Sequence, residues 1–529
     1  MVRIGRARPC RGQGHREERI KVASYYPIIY VRGYAMTQSE VESTFDMPYY
    51  GFNLGSTQYK LAAGTDPKMH IFESPVVRLM KEEGYQDSFG SFVDPRNRPI
   101  ANSVSDSRSD WRRTLWIFRY YDPESRMFGE ARQKVDGYAA DLAVFLNQVR
   151  LACGSPPDFA VILVAHSMGG LVARSYLQNP RIFGAAKPSS AALKGRGLRA
   201  SDFKPVMVNK LFTYGSPHRG ISLREGLGWA EDIRDLIGFK GSDAFGPKEM
   251  RRYLNLASSD DLHTYKPLAH APPIKRVFSL VGTAFEDYVV SAAKLGVGPG
   301  SDGLVTIENA YVKSAPRAFV HRSHSGPLGI VNSAAGYENL RRFLFGNVRF
   351  RFFLRLGELV QELPGRREPG DELDYFLIEL DVTIRGLPDY LHVRSGAHLS
   401  AIRVPIVKRR GKITGREKDF HLYTGYFDMD ARLKGDRFAR GAADIRIEPH
   451  YRHDGWIRES RYEGDWLMND RIHFGAAVVG GELRFDYHWS SENLERSGPV
   501  EQEMFFELPA SASRYFNGGS LRVLFDEWN

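Results

Sequence analysis

The stretch Phe159-Ala-Val-Ile-Leu-Val-Ala-His-Ser-Met-Gly-Gly-Leu171 decides the fold of this 529-residue chain. It opens with an uninterrupted apolar run of strand length, which is typical of a parallel strand buried on both faces. Apolar residues then recur at helical spacing as far as Leu177, and Asn179-Pro180 ends that helix. The sequence therefore predicts a strand and a helix joined by a sharp turn at Ser167.

The turn at Ser167 is predicted to present a nucleophile. Gly169 and Gly170 on one side and Ala165 on the other leave room for a strained corner that bulky side chains would not allow. The corner places the Ser167 hydroxyl at the helix N-terminus, where the N–H of Met168 and the helix dipole can stabilise a developing oxyanion. In this strand–helix context, Ala-His-Ser-Met-Gly has the form of a nucleophile elbow.

Strands and helices alternate along residues 25–347, which predicts a doubly wound, mostly parallel α/β sheet with its ligand site at the carboxyl ends of the strands. The predicted strands are 26–31, 114–120, 159–165, 207–214, 274–281 and 318–320, and the predicted helices include 75–80, 131–150 and 337–344.

The segment 221–270 is longer than a simple crossover requires. It holds two apolar stripes at helical spacing, which predict either ordinary core contacts or a helical cap over the active site. The first stripe is Trp229, Ile233, Leu236 and Ile237, and the second is Met250, Tyr253 and Leu254.

From about residue 350 the periodicity changes from helical to alternating. Apolar and polar residues alternate along 378–385 and again along 483–490, as in antiparallel strands with one solvated face. Glycine-containing turns recur between such stretches. The pattern predicts a β-sandwich accessory domain over residues 350–529.

Composition narrows the class of protein. Hydrophobic residues make up 42% and charged residues 26% of the chain, as in ordinary globular domains, and no apolar run approaches the ~20 residues that span a bilayer. Cys10 and Cys153 are expected to be reduced. No zinc spacing or nucleic-acid-binding motif occurs, so no metal, cofactor or nucleic-acid partner is predicted.

Half of the net charge of +10 lies in residues 1–21, which carry seven basic residues against Glu17 and Glu18. Residues 1–24 are predicted to be a disordered basic tail. The tail has no apolar core of the secretory type. The sequence predicts a cytoplasmic protein, and leaves open a peripheral contact with a membrane.

A serine nucleophile needs a histidine base and a carboxylate that orients the base. In this fold they follow the nucleophile in the order acid, then histidine, after later strands. Asp302 is the favoured acid because glycines flank the Ser301-Asp302 pair, with Asp287 and its neighbour Glu286 as alternatives. His324 is the favoured base because it follows the last strand in a turn of small residues, with His321 as the alternative.

Several motifs together resemble an α/β-hydrolase of the bacterial lipase type over residues 25–345. They are strand-Arg-Gly-Tyr34, Ala-His-Ser167-Met-Gly-Gly, Tyr-Gly-Ser-Pro-His218-Arg-Gly, Ser-Asp302-Gly-Leu-Val and His324-Ser-Gly. The resemblance implies Ser167 as nucleophile, Asp302 as acid and His324 as base. It also implies that the N–H groups of Tyr34 and Met168 form an oxyanion hole. Arg32 stands where such lipases usually have histidine, and Ser325-Gly-Pro327 replaces the aspartate with which some of them bind calcium.

The sequence therefore predicts a serine carboxylic-ester hydrolase, lipase-like, acting on an acyl ester or lipid through an acyl-enzyme at Ser167. One alternative is a lipid deacylase or thioesterase that uses the same three residues. The other is a non-catalytic binding or scaffold protein with an inert hydrolase domain and a functional β-rich part.

Overall fold

The computed structural model describes most of the chain. The described residues are 24–33, 56–60, 68–72, 74–88, 110–118, 120, 134–221, 245–288, 297–326, 328–359, 363, 371–387, 389–409, 412–415, 419–429, 438–454, 459–480, 482–492, 495–499 and 503–528. The predicted basic tail, except for Ser24, lies outside them.

A parallel sheet organises the N-terminal part. The strands are β1 (Ile28–Val31), β2 (Ser56–Lys60), β3 (Lys68–Phe72), β4 (Gln86–Asp87), β5 (Thr114–Phe118), β6 (Ala160–His166), β7 (Met207–Tyr214), β8 (Val277–Gly282) and β9 (Arg317–Val320). β2 and β3 pair as a separate antiparallel hairpin. The other seven form one sheet in the order β4-β5-β1-β6-β7-β8-β9, and every neighbouring pair is parallel.

Six α-helices of this part lie within the described residues. They are α1 (Pro75–Glu83), α2 (Val135–Ala152), α3 (Met168–Gln178), α4 (Ser190–Gly195), α5 (Pro247–Tyr253) and α6 (Ala334–Phe345), with short 3-10 helices at Trp111–Arg113, Pro180–Phe183, Ile274–Arg276 and Ile307–Asn309. The strand predicted over 274–281 begins only at Val277, because the chain enters it from Pro272-Pro273 and prolines cannot donate to a strand ladder.

The central strands are buried on both faces, as the apolar run before Ser167 predicts. In β6, Val161, Leu163 and Ala165 pack in one apolar cluster with α2 and α3. The alternate residues Ile162 and Val164 pack in a second cluster with α1 and α6. Two covered faces explain why this strand carries no polar alternation.

The second stripe of the 221–270 segment packs into the core. Met250 and Tyr253 on α5 are almost fully buried. The Ser175 hydroxyl of α3 donates to the Tyr253 carbonyl over 2.9 Å, and the Gln178 amide donates to the Leu254 carbonyl over the same distance. The second stripe therefore forms core contacts and does not belong to a cap. The first stripe lies within residues 222–244, outside the described residues, so a cap there stays a prediction.

The C-terminal part is rich in antiparallel strands. They are β10 (Val348–Arg355), β11 (Glu358–Leu359), β12 (Glu372–Ile384), β13 (His392–Arg394), β14 (Ile402–Arg409), β15 (Lys412–Gly415), β16 (Phe420–Phe427), β17 (Ala439–Asp454), β18 (Glu459–Glu463), β19 (Met468–Val479), β20 (Glu482–Trp489), β21 (Arg496–Pro499), β22 (Glu503–Glu507), β23 (Phe516–Asn517) and β24 (Ser520–Glu527), with a short helix α7 (Ala510–Ser513).

Two larger sheets of this part pack against each other. One has four strands in the order β16-β10-β24-β22, and the other has nine strands centred on β12, β17 and β19. Phe350 and Phe352 of the first sheet lie 5.4 and 5.0 Å, centroid to centroid, from the ring of Phe474 in the second. The alternating pattern thus places aromatic side chains between the sheets and polar ones outside.

The two parts share one apolar core. Phe343 on α6 contacts Phe278 of the parallel sheet, and it also contacts Tyr426 and Trp528 of the C-terminal part, with ring centroids 5.2 to 5.6 Å apart. The residues of both parts belong to one continuous cluster. The parallel sheet is therefore covered on one face by α6 together with the β-rich part.

Candidate active site

Ser167 occupies a strained turn between β6 and α3. Its backbone has φ of 52° and ψ of −130°, a combination that side-chain-bearing residues seldom adopt. A Cβ at Gly169 would lie 2.4 Å from the Val31 carbonyl oxygen, and a Cβ at Gly170 would lie 2.1 Å from the Ser216 hydroxyl. Both glycines are therefore required by close packing of α3 on its neighbours.

Hydrogen bonds join Ser167, His324 and Asp302 in series. His324 Nε2 lies 2.9 Å from Ser167 Oγ, and His324 Nδ1 lies 2.8 Å from Asp302 Oδ2. The serine follows β6, the aspartate lies in the loop after β8, and the histidine lies in the turn after β9. Carboxyl ends of parallel strands meet at one edge of a sheet, so three distant segments meet here.

The loop that holds Asp302 fixes its carboxylate. Asp302 Oδ1 accepts hydrogen bonds from the backbone N–H groups of Leu304 (3.0 Å) and Val305 (2.8 Å). Its Oδ2 is left to accept from His324, and the backbone N–H of His324 donates to the Asp302 carbonyl over 2.8 Å. The side chain is completely buried. These hydrogen bonds hold the carboxylate in one orientation, with Oδ2 directed at His324.

Gly215, at the end of β7, makes room for this pair. It has a φ of +49°, and a Cβ there would lie 2.9 Å from Asp302 Oδ2 and 3.2 Å from His324 Nδ1. A side chain at residue 215 would therefore press on the hydrogen bond between acid and base. In the sequence, this glycine stands out only as part of the Tyr-Gly-Ser-Pro-His218 motif. Its position directly after a strand of the same sheet was the available signal.

His166 supports the base from the other side. Its Nε2 lies 3.0 Å from the His324 backbone oxygen, and the two imidazole rings are 5.0 Å apart. Burial, and then the neighbouring His324, lower the pKa of His166 to about 3. The ring is therefore neutral at physiological pH, and Nε2 carries the proton that it donates to the carbonyl. Sequence reasoning missed this role because His166 is adjacent to Ser167 in the chain.

Of the two predicted oxyanion donors, Met168 lies within the described residues and Tyr34 does not. Met168 is the first residue of α3, so its N–H has no acceptor within the helix. Gly33, just after β1, passes directly over the serine, since a Cβ there would lie 3.1 Å from Ser167 Cβ. Tyr34, the second predicted donor, lies outside the described residues. Arg32, which replaces the usual histidine, is buried at the end of β1.

The alternative acid and base lie elsewhere. The His321 ring stacks on His398 at 3.7 Å between centroids, and its Nδ1 lies 3.4 Å from the Thr283 hydroxyl. Asp287 and Glu286 are exposed after β8. The structure thus brings Asp302 and His324, rather than these residues, to Ser167.

His218 stabilises the turn after β7. Its Nε2 lies 3.0 Å from the Thr213 hydroxyl, and it is fully buried away from the serine. Among the described residues, no group of three or more His, Cys, Asp or Glu side chains is arranged to hold a metal ion. In the same part of the chain, no helix is long and apolar enough to cross a membrane.

Comparisons with known proteins find similarity only to solved structures. No protein-family model and no curated protein matches the chain. The phospholipase PlaB from Legionella pneumophila is 12% identical, with 84% of this chain and 90% of that chain covered and a TM-score of 0.32. The product of the gene lin2722 from Listeria innocua is 14% identical, with 60% of this chain and 94% of that chain covered and a TM-score of 0.27. Similarity at this level does not indicate a function. The proposal below is therefore based on the geometry of the site.

Proposed function

We propose that the protein is a serine hydrolase that cleaves carboxylic esters with an apolar acyl group, in the manner of a lipase or esterase. The observation that carries the proposal is the unbroken series Ser167 Oγ–His324 Nε2–His324 Nδ1–Asp302 Oδ2, with distances of 2.9 and 2.8 Å. The series begins on a strained residue at a helix N-terminus. An inert turn has no need of that strain.

The geometry supports a two-step mechanism. In the first step, Ser167 Oγ attacks the ester carbonyl carbon while its proton passes to His324 Nε2. The tetrahedral oxyanion accepts a hydrogen bond from the N–H of Met168 at the start of α3. When the intermediate collapses, the bond to the alcohol oxygen breaks, and His324 donates the proton to the departing alcohol.

Water completes the cycle. His324 Nε2 takes a proton from water, whose oxygen attacks the acyl-enzyme carbonyl, and the proton returns to Ser167 Oγ as the carboxylic acid leaves. Throughout, Asp302 keeps the Nδ1 proton on His324 and stabilises the imidazolium. The His166 contact with the His324 carbonyl holds the backbone of the base in place.

An apolar acyl group suits the surroundings of the site. Leu399, from the C-terminal part, is 64% exposed and lies against Gly300, two residues before Asp302. Leu328, in the turn that follows His324, is also exposed. Exposed leucines next to the loops that carry Asp302 and His324 favour an apolar substrate over a sugar or a charged peptide.

The test combines covalent labelling with turnover. A fluorophosphonate probe is expected to label the wild-type chain at Ser167, identified by peptide mapping, and Ser167→Ala is expected to reduce hydrolysis of short aryl esters by about 10³-fold or more. Ser325→Ala, which removes a partly exposed serine next to His324, is the matched control and should retain labelling and turnover.

Two further outcomes separate the alternatives. Faster hydrolysis of thioesters than of oxyesters of the same chain length would identify a thioesterase with the same residues. A folded protein that neither binds the probe nor hydrolyses either substrate would refute catalysis and favour a scaffold role.

A further inference from the structure

A cavity of about 830 Å³ lies beside the edge strand β9, where the α/β part meets the four-stranded sheet. Residues 313–317 form one wall, and side chains of β10 and β16 form the opposite wall. Ser167, His324 and Asp302 do not line it. We call it the basic cavity, after its cations Arg219, Lys275, Lys313, Arg317, Arg349 and Arg351.

The cations of the basic cavity exceed the carboxylates near them. Two carboxylates, Asp261 and Glu308, line it. A third, Asp526, serves both arginines of β10, at 2.7 Å from Arg349 and 3.0 Å from Arg351. Within the described part of the chain, six cations therefore share three carboxylates, and both parts of the molecule contribute to the surplus of positive charge.

Arg317 is the most buried of the three cavity cations that have no ion pair among the described residues, since Lys275 and Lys313 are exposed. It is partly buried, and its guanidinium stacks over the Tyr311 ring at 4.1 Å. Among the described residues, no carboxylate lies within salt-bridge distance of it. Burial lowers the pKa of Arg317, which means that the surroundings disfavour its charge. A buried cation without a close anion is costly unless another group supplies the anion.

A second arginine leaves a donor unused. Arg351 Nε is buried without a hydrogen-bond partner, although its Nη2 pairs with Asp526. The planar donors of arginine match phosphate oxygens in pairs, and a phosphate dianion has enough oxygens and charge to be shared by several arginines. The basic cavity thus offers donors of the right type from both of its walls.

We propose that the basic cavity binds a small molecule that carries a phosphate group. Its volume is in the range of ordinary ligand sites and exceeds that of phosphate alone. The Tyr311 and Phe353 side chains, which also line it, can contact the remainder of the ligand. The phosphate group can belong to a soluble phosphomonoester or to a phospholipid headgroup, and the two sources are separable by experiment.

The soluble source is tested by calorimetric titration of the full-length chain with inorganic phosphate and with glycerol 3-phosphate. Saturable binding is expected, and Arg317→Gln and Lys313→Gln should each weaken it by about tenfold or more, since each removes a charged donor. Arg199→Gln is the control, because Arg199 is exposed, pairs with Asp202 and does not line the cavity. Chloride at matched ionic strength controls for screening.

The lipid source is tested by co-sedimentation with phosphatidylcholine vesicles, with and without phosphatidic acid. Ser167→Ala protein is used so that the lipids stay intact. Binding that requires phosphatidic acid and is lost on adding Arg317→Gln supports a headgroup; binding only in the titration supports a soluble ligand.

Three outcomes overturn the proposal. The first is that neither assay shows saturable binding. The second is that wild type and both cavity variants bind with equal affinity. The third is that chloride at matched ionic strength gives the same binding signal as phosphate. If Arg317→Gln does not fold, Lys313→Gln decides, because residue 313 is exposed and its substitution leaves the core intact. None of these outcomes depends on hydrolysis at Ser167.

Discussion

The site at Ser167 and the basic cavity treat buried charge in opposite ways. Asp302 is completely buried, yet it accepts from Leu304, Val305 and His324, so its charge is balanced within the protein. Arg317 is partly buried beside other cations and has no carboxylate within salt-bridge distance among the described residues. The first arrangement is complete without a ligand, as pre-organised catalysis requires. The second becomes balanced only when an anion enters.

The largest effect, on kcat, is expected from Asp302→Asn, which removes the carboxylate oxygen that accepts the hydrogen bond from His324 Nδ1. Two backbone N–H groups hold the side-chain oxygen at the Oδ1 position, so the new amide NH2 faces His324 Nδ1. The imidazole must then carry its proton on Nε2, where it cannot accept from Ser167. We expect kcat for aryl esters to fall about 10³–10⁴-fold.

The matched control for that substitution is Asp287→Asn, at the exposed carboxylate after β8. It should leave kcat unchanged. Equal losses of kcat in the two variants would mean that the geometry around Asp302 does not determine the reaction. The Ser167 site would then not be the pre-organised one of the two sites.

A smaller effect, on stability, is expected from Gly169→Ala. The added methyl group would lie 2.4 Å from the Val31 carbonyl oxygen and 2.6 Å from that of Arg32, and backbone atoms cannot move aside easily. We expect the free energy of unfolding to fall by about 3 kcal/mol or more, measured by urea denaturation. Gly195→Ala is the control, because no atom lies within 4 Å of a Cβ there. Similar midpoints for both variants would contradict close packing at the elbow.

The smallest effect concerns His421, on the wall of the basic cavity. Burial, followed by the charges of Arg317, Arg351 and Arg394, lowers its pKa to about 3, against about 6.5 in the unfolded chain. Between these values the unfolded state binds more protons, so this contribution to stability is complete above about pH 6.5 and decreases as pH falls toward 3. One such site is worth about 1 kcal/mol between pH 7.5 and 5.5.

His421→Gln removes this pH dependence while retaining a polar partner for the Thr424 hydroxyl, 2.8 Å from His421 Nε2. The loss of unfolding free energy between pH 7.5 and 5.5 should therefore be about 1 kcal/mol smaller in the variant than in wild type. An unchanged pH dependence would show that burial and the neighbouring arginines do not lower the pKa of His421 in the folded protein.

The sequence was sufficient to predict that the side chains of Ser167, His324 and Asp302 lie together, because the constraints on the turn at Ser167 are local; their catalytic roles stay a prediction. A buried parallel strand, a helix and small residues at the corner admit few structures, and the order of acid and base along the chain left few candidates. Gly215 and His166 were missed because their roles depend on which loops meet across the sheet edge. The basic cavity was not predicted, since Arg219, Arg317 and the β10 arginines lie in separate segments that only the tertiary packing brings together.

The extent of the shared core could not be predicted either. Alternation along 378–385 and 483–490 indicated antiparallel strands, and those strands are present. The same alternation says nothing of what the apolar faces of β10 and β24 contact beyond their own sheets. In the parallel part, α6 looked like the last helix of an independent domain, whereas Phe343 on it packs against both parts.

The link between Trp528 and α6 bears on how the chain is synthesised. The indole of Trp528 donates to the Phe343 carbonyl, 185 positions earlier, over 2.8 Å, and the buried Lys210 ammonium donates to the Leu344 carbonyl. During translation, the helix that covers the parallel sheet must wait for strand β24 to emerge before its partners are complete. The nascent α/β part consequently exposes one apolar face for the time needed to add those residues, and chaperones are expected to bind it in that interval.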